Sequence, residues 1–397
     1  MHMGINKIRV KNYRSLADVA VDLSNPMVLF GPNGSGKSSF LDSLWFIRDC
    51  AALGVETASS NRSHGIGMLY DEAPANAPIS ISIETDDLVY ELDFFLSSGR
   101  IDPYAGEKLY VKQSGTRLIE RLPGSNNASF HPNNMDGAAE LTLRNPRKLS
   151  LEKYQDFASW DVTVVKSLDD ILHNIRSYHC RSFDFYGIKR KGSESGSSDK
   201  LLDQGENIWS VLRNIHGKKR VDNRYDTIMD FMRRAFPDFD DLVFEPAGPS
   251  AIYASFLFKS HSKPVFASGV SDGHLQMLLL LTALFSEHAD KKGITVLFDE
   301  PDLSMHPWAI ATFSKAVETA VSEWQRHVIM ATHSPVLISQ FDTANIFAAR
   351  MENGRTGLSC LGGMDDVKDL LDQYAAGSLY MAQLIAPQHI ENESDTD

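Results

Sequence analysis

Short apolar runs separated by polar turns recur along the chain, and their spacing predicts both strands and helices. Ile5 to Val10 predicts a strand, and Pro26 to Phe30 predicts a second one that runs directly into a glycine-rich turn. The apolar residues that recur at helical spacing after this turn are Phe40, Leu41, Leu44, Trp45 and Ile47. The chain therefore begins with strands, a turn and a helix.

Two hairpins with one apolar face follow in the N-terminal third. The isoleucines at 79, 81 and 83 alternate with polar residues, Thr85 to Asp87 turns the chain, and Leu88 to Phe94 alternates again. A second hairpin turns at Ser114 and Gly115. These segments predict an antiparallel sheet.

Two stretches rich in small and polar residues, 124–137 and 192–199, predict surface loops. Between and beyond them the pattern is mainly helical. Near the end of the chain, Val367 to Ile385 predicts a helix, and Glu391 to Asp397 is an acidic tail. We see no internal repeat and no sustained heptad pattern.

The C-terminal part alternates strands with apolar helices. Ile252 to Phe258 alternates, and Leu275 to Phe285 is an apolar helical segment. Ile294 to Phe298 and Val328 to Ala331 are fully apolar, and a helix is predicted to begin after Pro307 between them. Strands that are apolar on both faces and separated by a helix favour a parallel sheet core.

Composition narrows the class of protein. A chain of 397 residues with 43% hydrophobic content can bury the core of one large domain or of two. No apolar run has the length of a membrane span and the start lacks the apolar core of a secretory signal, so we expect a cytoplasmic protein without a membrane partner. The three cysteines, at 50, 180 and 360, show no metal-ligand spacing and favour buried thiols.

The net charge of −13 argues against a general affinity for nucleic acid, because phosphate contacts need clustered lysine and arginine. Lys189 to Lys191 and Lys218 to Arg220 form local basic clusters. A solvated surface is the favoured interpretation of both. DNA binding is therefore possible but is not indicated by charge.

The turn after the second predicted strand carries a phosphate-loop motif. Its sequence fits G-x-x-x-x-G-K-[ST] and lies between a predicted strand and a predicted helix. Backbone N–H groups of such a turn at a helix N-terminus point together at an anion. We expect Lys37 to reach the β and γ phosphates of ATP and Ser38 to offer its hydroxyl oxygen to Mg²⁺. The nucleotide-binding residues predicted from this motif are Gly31, Pro32, Asn33, Gly34, Ser35, Gly36, Lys37, Ser38 and Ser39.

Two carboxylates and a histidine follow the apolar strands. Asp299 and Glu300 end the strand that begins at Ile294, and neighbouring side chains of a strand point in opposite directions. We expect Asp299 to hold Mg²⁺ through its water shell and Glu300 to polarise the water that attacks the γ phosphate. His333 follows the next apolar strand, where an imidazole can hydrogen-bond the γ phosphate and that water.

A further candidate motif is the segment Gly269-Val-Ser-Asp-Gly-His274, which precedes a helix predicted to begin near Leu275. On these residues alone the favoured interpretation is a helix N-cap, with Ser271 or Asp272 as the capping residue. The order of the motifs along the chain favours a second interpretation. ABC-type ATPases show the same order: a phosphate loop, an S-D-G helix start, a strand that ends in Asp-Glu, and a strand followed by a histidine.

These motifs resemble the SMC/RecF-like branch of ABC-type ATPases, and most closely the stand-alone ATPases of the AAA-type domain 21 or OLD-like kind, without a nuclease domain. Ile8 to Ser15 looks like that branch's opening strand, and Glu206 to Leu212 looks like its middle helix. The resemblance implies an α/β fold. This fold is an ABC-ATPase head with a mixed, largely parallel P-loop sheet, an N-terminal antiparallel β subdomain and an inserted helical lobe.

The corresponding division of the chain has four parts. Residues 1–150 form an N-terminal lobe with the phosphate loop, and 151–240 form an inserted, mainly helical region. Residues 241–390 form a C-terminal lobe with the S-D-G motif, the Asp-Glu strand and the histidine, and 391–397 form the acidic tail.

The resemblance also implies how the site is completed. In that family Ser271 and Gly273 would bind the γ phosphate held by the other protomer's phosphate loop, so we expect a head-to-head homodimer or higher homo-oligomer that uses ATP and Mg²⁺. Two segments depart from the family: Pro301 to Pro307 reads P-D-L-S-M-H-P where many relatives have Glu and Gly, and Val270 replaces a leucine. The glutamine that relatives use against Mg²⁺ is not assigned, and Gln113 is a candidate only by elimination.

The biological role follows from what the motifs lack. There are no heptad arms for DNA looping, the S-D-G-H form argues against transport, and Ser334 to Asp397 is too short for an OLD-type nuclease domain. The resemblance implies the ATPase and sensor subunit of an antiphage system that controls a separately encoded effector, a nuclease or toxin. A RecF-like DNA-repair ATPase and a non-hydrolysing, nucleotide-dependent scaffold are the alternatives.

Overall fold

The computed structural model describes residues 4–74, 76–133, 137–157 and 159–363, together with Ser378 and Tyr380. The predicted tail helix lies outside these residues except at Ser378 and Tyr380, and the predicted acidic tail lies outside them entirely. Within the described part of the chain, no helix is long and apolar enough to cross a membrane. Cys50 and Cys180 are buried thiols as predicted, whereas Cys360 is only half-buried.

The described chain contains both strands and helices, with a run of consecutive strands from β4 to β11. The strands in chain order are β1 Lys7–Tyr13, β2 Leu16–Asp22, β3 Met27–Phe30, β4 Ile79–Glu84, β5 Leu88–Phe94, β6 Leu96–Ser97, β7 Arg100–Ile101, β8 Gly106–Val111, β9 Arg117–Arg121, β10 Asn127–Phe130, β11 Ala139–Thr142, β12 Ile175–His179, β13 Ser193–Glu194, β14 Phe239–Pro246, β15 Ala251–Phe258, β16 Val265–Phe266, β17 Thr295–Asp299, β18 His327–Thr332, β19 Ile346–Glu352 and β20 Arg355–Cys360. The helices are α1 Lys37–Leu53, α2 Val55–Ser60, α3 Leu151–Tyr154, α4 Thr163–His173, α5 Phe185–Arg190, α6 Ile208–Gly217, α7 Arg224–Ala235, α8 Asp272–Phe285, α9 Pro307–Ser322 and α10 Pro335–Ile338.

A sheet with the order β12-β17-β18-β3-β19-β20 forms the centre of the fold. Its neighbours from β12 to β19 are parallel, and β20 is antiparallel to β19. Strands β3 and β18 are buried at every position, as a sheet covered on both faces requires. Val28 and Phe30 pack in one hydrophobic cluster with α8 and α9, and Met27 and Leu29 in another with α1. The predicted parallel core is confirmed.

A second, antiparallel sheet with the order β11-β10-β9-β8-β5-β4-β1-β2 covers the α1 side. Both predicted hairpins are present, as β4-β5 and β8-β9, and the three isoleucines of β4 are buried. Strand β10 lies within the stretch 124–137, so the prediction of a loop there is wrong for these residues. Ala128 and Phe130 alternate with polar residues and bury their side chains, which a short strand between turns allows.

The middle of the chain also contains strands that the mainly helical pattern did not predict. Strand β12 joins the central sheet, and its polar residue Arg176 is buried because its guanidinium pairs with Glu287, with Nε 2.9 Å from Oε1. Strand β13 lies within the predicted loop 192–199, where Ser193 pairs with Ile252 and is buried. The carboxyl ends of β12, β17, β18 and β3 meet at one edge of the central sheet, because these strands are parallel.

Candidate functional site

The phosphate loop leaves β3 at that edge and enters α1, which begins at Lys37. Gly36 is the residue before the helix and has φ +95°, and a Cβ atom there would lie 2.0 Å from the Thr356 hydroxyl oxygen. Gly31 has φ +152°, and its Cβ atom would lie 2.2 Å from the carbonyl oxygen of Ala349. Only glycine fits at these two positions, as a tight phosphate-binding turn requires.

Lys37 folds back over the loop. Its side chain is buried, and its Nζ donates to the carbonyl oxygens of Gly31, at 2.9 Å, and Pro32, at 3.0 Å. Burial lowers the pKa of Lys37 to about 8, although the charges of Glu300 and Asp299 act in the opposite direction. The ammonium group therefore lies between the loop and the two carboxylates that end β17.

Asp299 is the last residue of β17 and Glu300 follows it outside the strand, so strand alternation does not set their relative directions, and both residues line the same cavity. Oδ2 of Asp299 accepts a hydrogen bond from Nδ1 of His179 at 3.0 Å, and Oδ1 is buried without a partner in the described part of the chain. Burial raises the pKa of Asp299, but the hydrogen bonds from His179 and Ser38, with smaller effects from the charges of His179 and Lys37, outweigh burial, so the pKa lies below its ordinary value. Glu300 has φ +57°, a left-handed backbone, and its N–H donates to Ala331 O at 2.8 Å.

His333 connects the loop to Glu300. Its Nε2 lies 3.2 Å from Nζ of Lys37 and 3.0 Å from Oε1 of Glu300. An ammonium can only donate and a carboxylate can only accept, so Nε2 pairs with Lys37 when it is unprotonated and with Glu300 when it carries a proton. A proton at this nitrogen thus decides which neighbour His333 binds.

The predicted residues of the loop, the Asp-Glu pair and the histidine surround one cavity of about 480 Å³. The residues that line it are Asn33, Gly34, Gly36, Lys37, Ser38, Ser39, His179, Arg181, Ser182, Asp299, Glu300 and His333. Of the other predicted loop residues, Gly31 and Pro32 accept hydrogen bonds from Lys37, and Ser35 is buried with a hydroxyl that has no partner within the described residues. The structure therefore brings the phosphate loop, both carboxylates and His333 together.

Ser271 and Gly273 do not line this cavity. They lie at the start of α8, which begins at Asp272 and not near Leu275. Ser271 occupies the N-cap position, but its Oγ lies 2.7 Å from Nδ1 of His274 and caps no backbone N–H, so the capping interpretation is wrong for the side chain. A Cβ atom at Gly273 would lie 2.6 Å from Ser304 O, which keeps this position as glycine.

Asp272 is also not a cap, because its carboxylate pairs with Lys189 of α5 at 2.6 Å. Ser271 borders a separate, more apolar groove of about 540 Å³, in which the ring of His274 stacks on Phe236 with 3.8 Å between ring centroids. Burial lowers the pKa of His274. The S-D-G segment thus faces a surface different from the phosphate-loop cavity of the same chain.

Sequence reasoning missed the wall of the cavity that β12 provides. His179, Arg181 and Ser182 line it, and the one signal for them was a short strand-like stretch ending at His179. Gln113, the candidate by elimination, lies in the turn between β8 and β9 and is not among the residues that line the cavity.

Comparisons with known proteins agree with this architecture. The family model described as "AAA domain, putative AbiEii toxin, Type IV TA system" matches residues 27–339. The Old nuclease of Escherichia phage P2 is 23% identical over 362 residues, which is 87% of this chain and 59% of that protein. The OLD nuclease of Thermus scotoductus is 21% identical over 352 residues, 86% of this chain and 61% of that protein.

The DNA replication and repair protein RecF of Rhodococcus erythropolis is 22% identical over 278 residues, 68% of this chain and 63% of that protein. The chain therefore spans about three fifths of the length of these curated relatives.

Two solved SMC heads have the same fold. The SMC head bound to the C-winged helix domain of ScpA gives a TM-score of 0.56 at 15% identity, over 90% of this chain and 97% of that one. The Smc head with an extended coiled coil bound to the C-terminal domain of ScpA derived from Pyrococcus furiosus gives 0.52 at 12% identity, over 93% and 99%. The predicted α/β ABC-ATPase head is thereby confirmed. The chain belongs to the family described as AAA domain, putative AbiEii toxin, Type IV TA system, an SMC/RecF-like ATPase family related to the OLD proteins.

Proposed function

We propose that the chain binds ATP with Mg²⁺ in the phosphate-loop cavity and hydrolyses it. The observation that carries this proposal is the placement of Nε2 of His333 within 3.2 Å of Nζ of Lys37 and 3.0 Å of Oε1 of Glu300, beside the loop. It joins a cation, a proton-carrying ring and a carboxylate around one cavity. Those are the groups that stabilise phosphoryl transfer and orient an attacking water.

The residues present suit a nucleotide and its metal. The loop packs so closely on Thr356 and the carbonyl of Ala349 that two of its positions accept only glycine, as in a turn whose backbone binds an anion. The unpartnered, buried Oδ1 of Asp299 and the cavity-lining hydroxyl of Ser38 are oxygen donors, which Mg²⁺ prefers. Mg²⁺, when bound, neutralises charge on the phosphates. These observations support the assignment of Ser38 and Asp299 as metal ligands.

The chain's own groups then take separate roles. Lys37 leaves the carbonyl oxygens of Gly31 and Pro32 and donates to the β and γ phosphates. Glu300 accepts a proton from the attacking water, and His333 donates to the γ phosphate or to that water through Nε2. Because both Glu300 and His333 are mostly buried, their interactions with the reacting groups are weakly screened.

A second copy of the chain is proposed to complete the site. Ser271 and Gly273 lie outside the phosphate-loop cavity of their own chain, at the start of α8, whose N–H groups can face an anion. In a head-to-head dimer they would contact the γ phosphate on the partner. ATP would favour the dimer by its differential affinity for the two states, a matter of about a few kcal/mol.

For the biological role we propose control of a separately encoded effector, a nuclease or toxin, in antiphage defence. The similarity to an Old nuclease of a phage supports a role linked to nuclease action, and we assign the effector activity to a second polypeptide. Head engagement would hold the effector until a trigger changes the dimer. Co-purification of the effector with wild-type chain but not with a variant unable to dimerise is the result expected.

A RecF-like role in DNA repair is the second candidate, and the RecF relative favours it. Of the two basic clusters, Lys189 and Lys218 pair with carboxylates, whereas Arg190 and Lys191 flank the exposed ring of Tyr186. These exposed cations would bind DNA with an affinity that falls steeply with salt. A salt titration of DNA binding by wild type and Arg190→Ala tests this candidate.

The experiment that tests the proposed function measures ATP hydrolysis and molar mass by light scattering, with and without ATP and Mg²⁺. Lys37→Ala is expected to lose hydrolysis, and Glu300→Gln to lose hydrolysis but accumulate a nucleotide-bound dimer. The matched controls are Lys315→Ala and Glu318→Gln, because both residues are exposed on α9. Wild-type activity in all variants would overturn the catalytic assignment, and nucleotide binding without any hydrolysis in wild type would favour the scaffold.

A further inference from the structure

One wall of the phosphate-loop cavity comes from residues that belong to none of the four sequence motifs. His179 ends β12, and Arg181 and Ser182 lie in the 3-10 turn Cys180–Ser182 that follows it. All three line the cavity. In the parallel register of β12 and β17, His179 lies opposite Asp299, so the turn follows at the same sheet edge as the two carboxylates.

His179 fixes the position of this turn. Its Nδ1 lies 3.0 Å from Oδ2 of Asp299 and donates to it, since a carboxylate oxygen accepts. One end of the turn is thereby held to the residue that ends β17. The other end is held by the backbone of Asp184, whose N–H donates to the carbonyl oxygen of Gln204 at 3.0 Å. Arg181 projects from a backbone that is anchored on both sides.

The charges around the cavity single out Arg181. Among the described residues that line it, the lysine and arginine side chains are those of Lys37 and Arg181. Lys37 is buried and already bonded to loop carbonyls, whereas Arg181 is exposed. No ion pair found within the described chain includes Arg181, although carboxylates of the same cavity are paired with histidines. Its guanidinium thus has its donors available beside the loop.

We propose that Arg181 binds the phosphates of the nucleotide held by its own protomer, and that His179 is its positioning residue. This inference rests on the proposed function, because the ligand is the nucleotide of that cavity. A guanidinium donates two parallel hydrogen bonds to phosphate oxygens, which suits a flexible side chain at a cavity rim. Since the turn adjoins Asp299 and not the start of the loop, Arg181 contacts the terminal phosphates and discriminates ATP from ADP.

The test is isothermal titration calorimetry with Mg²⁺ and either AMP-PNP, which is not hydrolysed, or ADP. Arg181→Ala is expected to weaken AMP-PNP binding about tenfold or more and ADP binding by less than about twofold, as expected for loss of one charge-assisted contact. Arg181→Lys keeps the positive charge but cannot donate two parallel hydrogen bonds. Its affinity for AMP-PNP should therefore lie between those of wild type and Arg181→Ala. Arg190→Ala is the control, because this arginine is also exposed but does not line the cavity.

The positioning role has its own variants. His179→Ala should reduce the preference for AMP-PNP over ADP in the same direction as Arg181→Ala, and His179→Asn, which can offer an N–H to Asp299, should restore part of it. In the Arg181→Ala background, His179→Ala should lower that preference no further. A further loss of the same size in the double variant would show that His179 acts independently of Arg181.

Lys37→Ala separates the two proposals. If it abolishes binding of both nucleotides while Arg181→Ala keeps the wild-type ratio of affinities, the inference about Arg181 is overturned and the nucleotide site stands. If Lys37→Ala binds both nucleotides like wild type, the cavity is not the nucleotide site and both proposals fail. Circular dichroism spectra identify the folded variants, and Arg181→Gln replaces Arg181→Ala if the latter does not fold.

Discussion

Arg326 connects the end of α8 to the loop that leads into β17, and its removal gives a quantitative test of the fold. The guanidinium is 1% exposed and donates to the carbonyl oxygens of Glu287 at 2.7 Å, His288 at 2.9 Å and Lys291 at 2.8 Å. These carbonyls follow a helix end, where acceptors lack helical partners. Burial lowers the pKa of Arg326 to about 10, so the side chain is still a cation at neutral pH.

Arg326→Met keeps most of the aliphatic stem but removes the three short hydrogen bonds and a longer one of 3.4 Å from Nε to Leu284 O. With about 1 kcal/mol for each of the three short hydrogen bonds and little from the long one, we expect the free energy of unfolding to fall by about 3 kcal/mol. Arg326→Lys should lose about half as much, because an ammonium cannot reach three carbonyls in the same plane. The loop would then hold β17, and with it Asp299, less firmly.

Urea unfolding followed by far-ultraviolet circular dichroism measures these losses, with the slope of the transition as a check on its cooperativity. Arg355→Met is the control, since this arginine is exposed and pairs with an exposed Glu72. It should change the free energy by less than about 0.5 kcal/mol. A loss below about 1 kcal/mol for Arg326→Met at an unchanged slope would mean that water replaces the guanidinium, and the reasoning would be refuted.

Three further outcomes are expected. Burial raises the pKa of Glu287, but the hydrogen bond from Arg176 contributes to lowering it to about 2. This carboxylate therefore stabilises the fold above pH 4.5 by up to about 3 kcal/mol and loses that effect as the pH falls toward 2. Glu287→Gln should make the free energy of unfolding less dependent on pH in that window, and an unchanged pH dependence would contradict the assignment. Gly36→Ala should abolish nucleotide binding in calorimetry, and adding Thr356→Gly should restore only part of it because the left-handed backbone strain persists; full affinity in the single variant would contradict the loop geometry. Ser271→Ala should keep nucleotide binding but lose the nucleotide-dependent increase in mass by light scattering, and a normal increase would argue against contact with the partner's phosphate.

The parts of the fold that the sequence predicted are those in which a local pattern has one physical use. Strands β17 and β18 are uninterrupted apolar runs, and such runs are stable only when both faces are covered. Gly31 and Gly36 hold positive φ angles within the motif, so the phosphate-loop geometry followed from the residue types. Asp299 ends β17 and His333 follows β18, so the two residues lie at neighbouring strand ends once these two strands are parallel.

The parts that were missed depend on partners far away in the chain. The sequence did not predict β12 as a buried strand because the strand contains the charged residue Arg176. The carboxylate that pairs with Arg176 lies 111 positions later in the chain. His179 and Arg181 were overlooked for the same reason, since their position depends on where β12 joins the sheet. The hydroxyl of Ser271 pairs with His274 and not with the backbone, because the stacked Phe236 fixes that ring.

The left-handed backbone of Glu300 places function and stability in opposition at a single residue. An L-residue with a φ angle of +57° is strained by about 1 kcal/mol or more relative to the usual regions, and glycine or asparagine at the same place would be strained less. Engineering that selects for heat resistance alone should therefore replace Glu300 by one of these two residues. Engineering that selects for turnover should restore glutamate, because neither replacement can accept a proton from water.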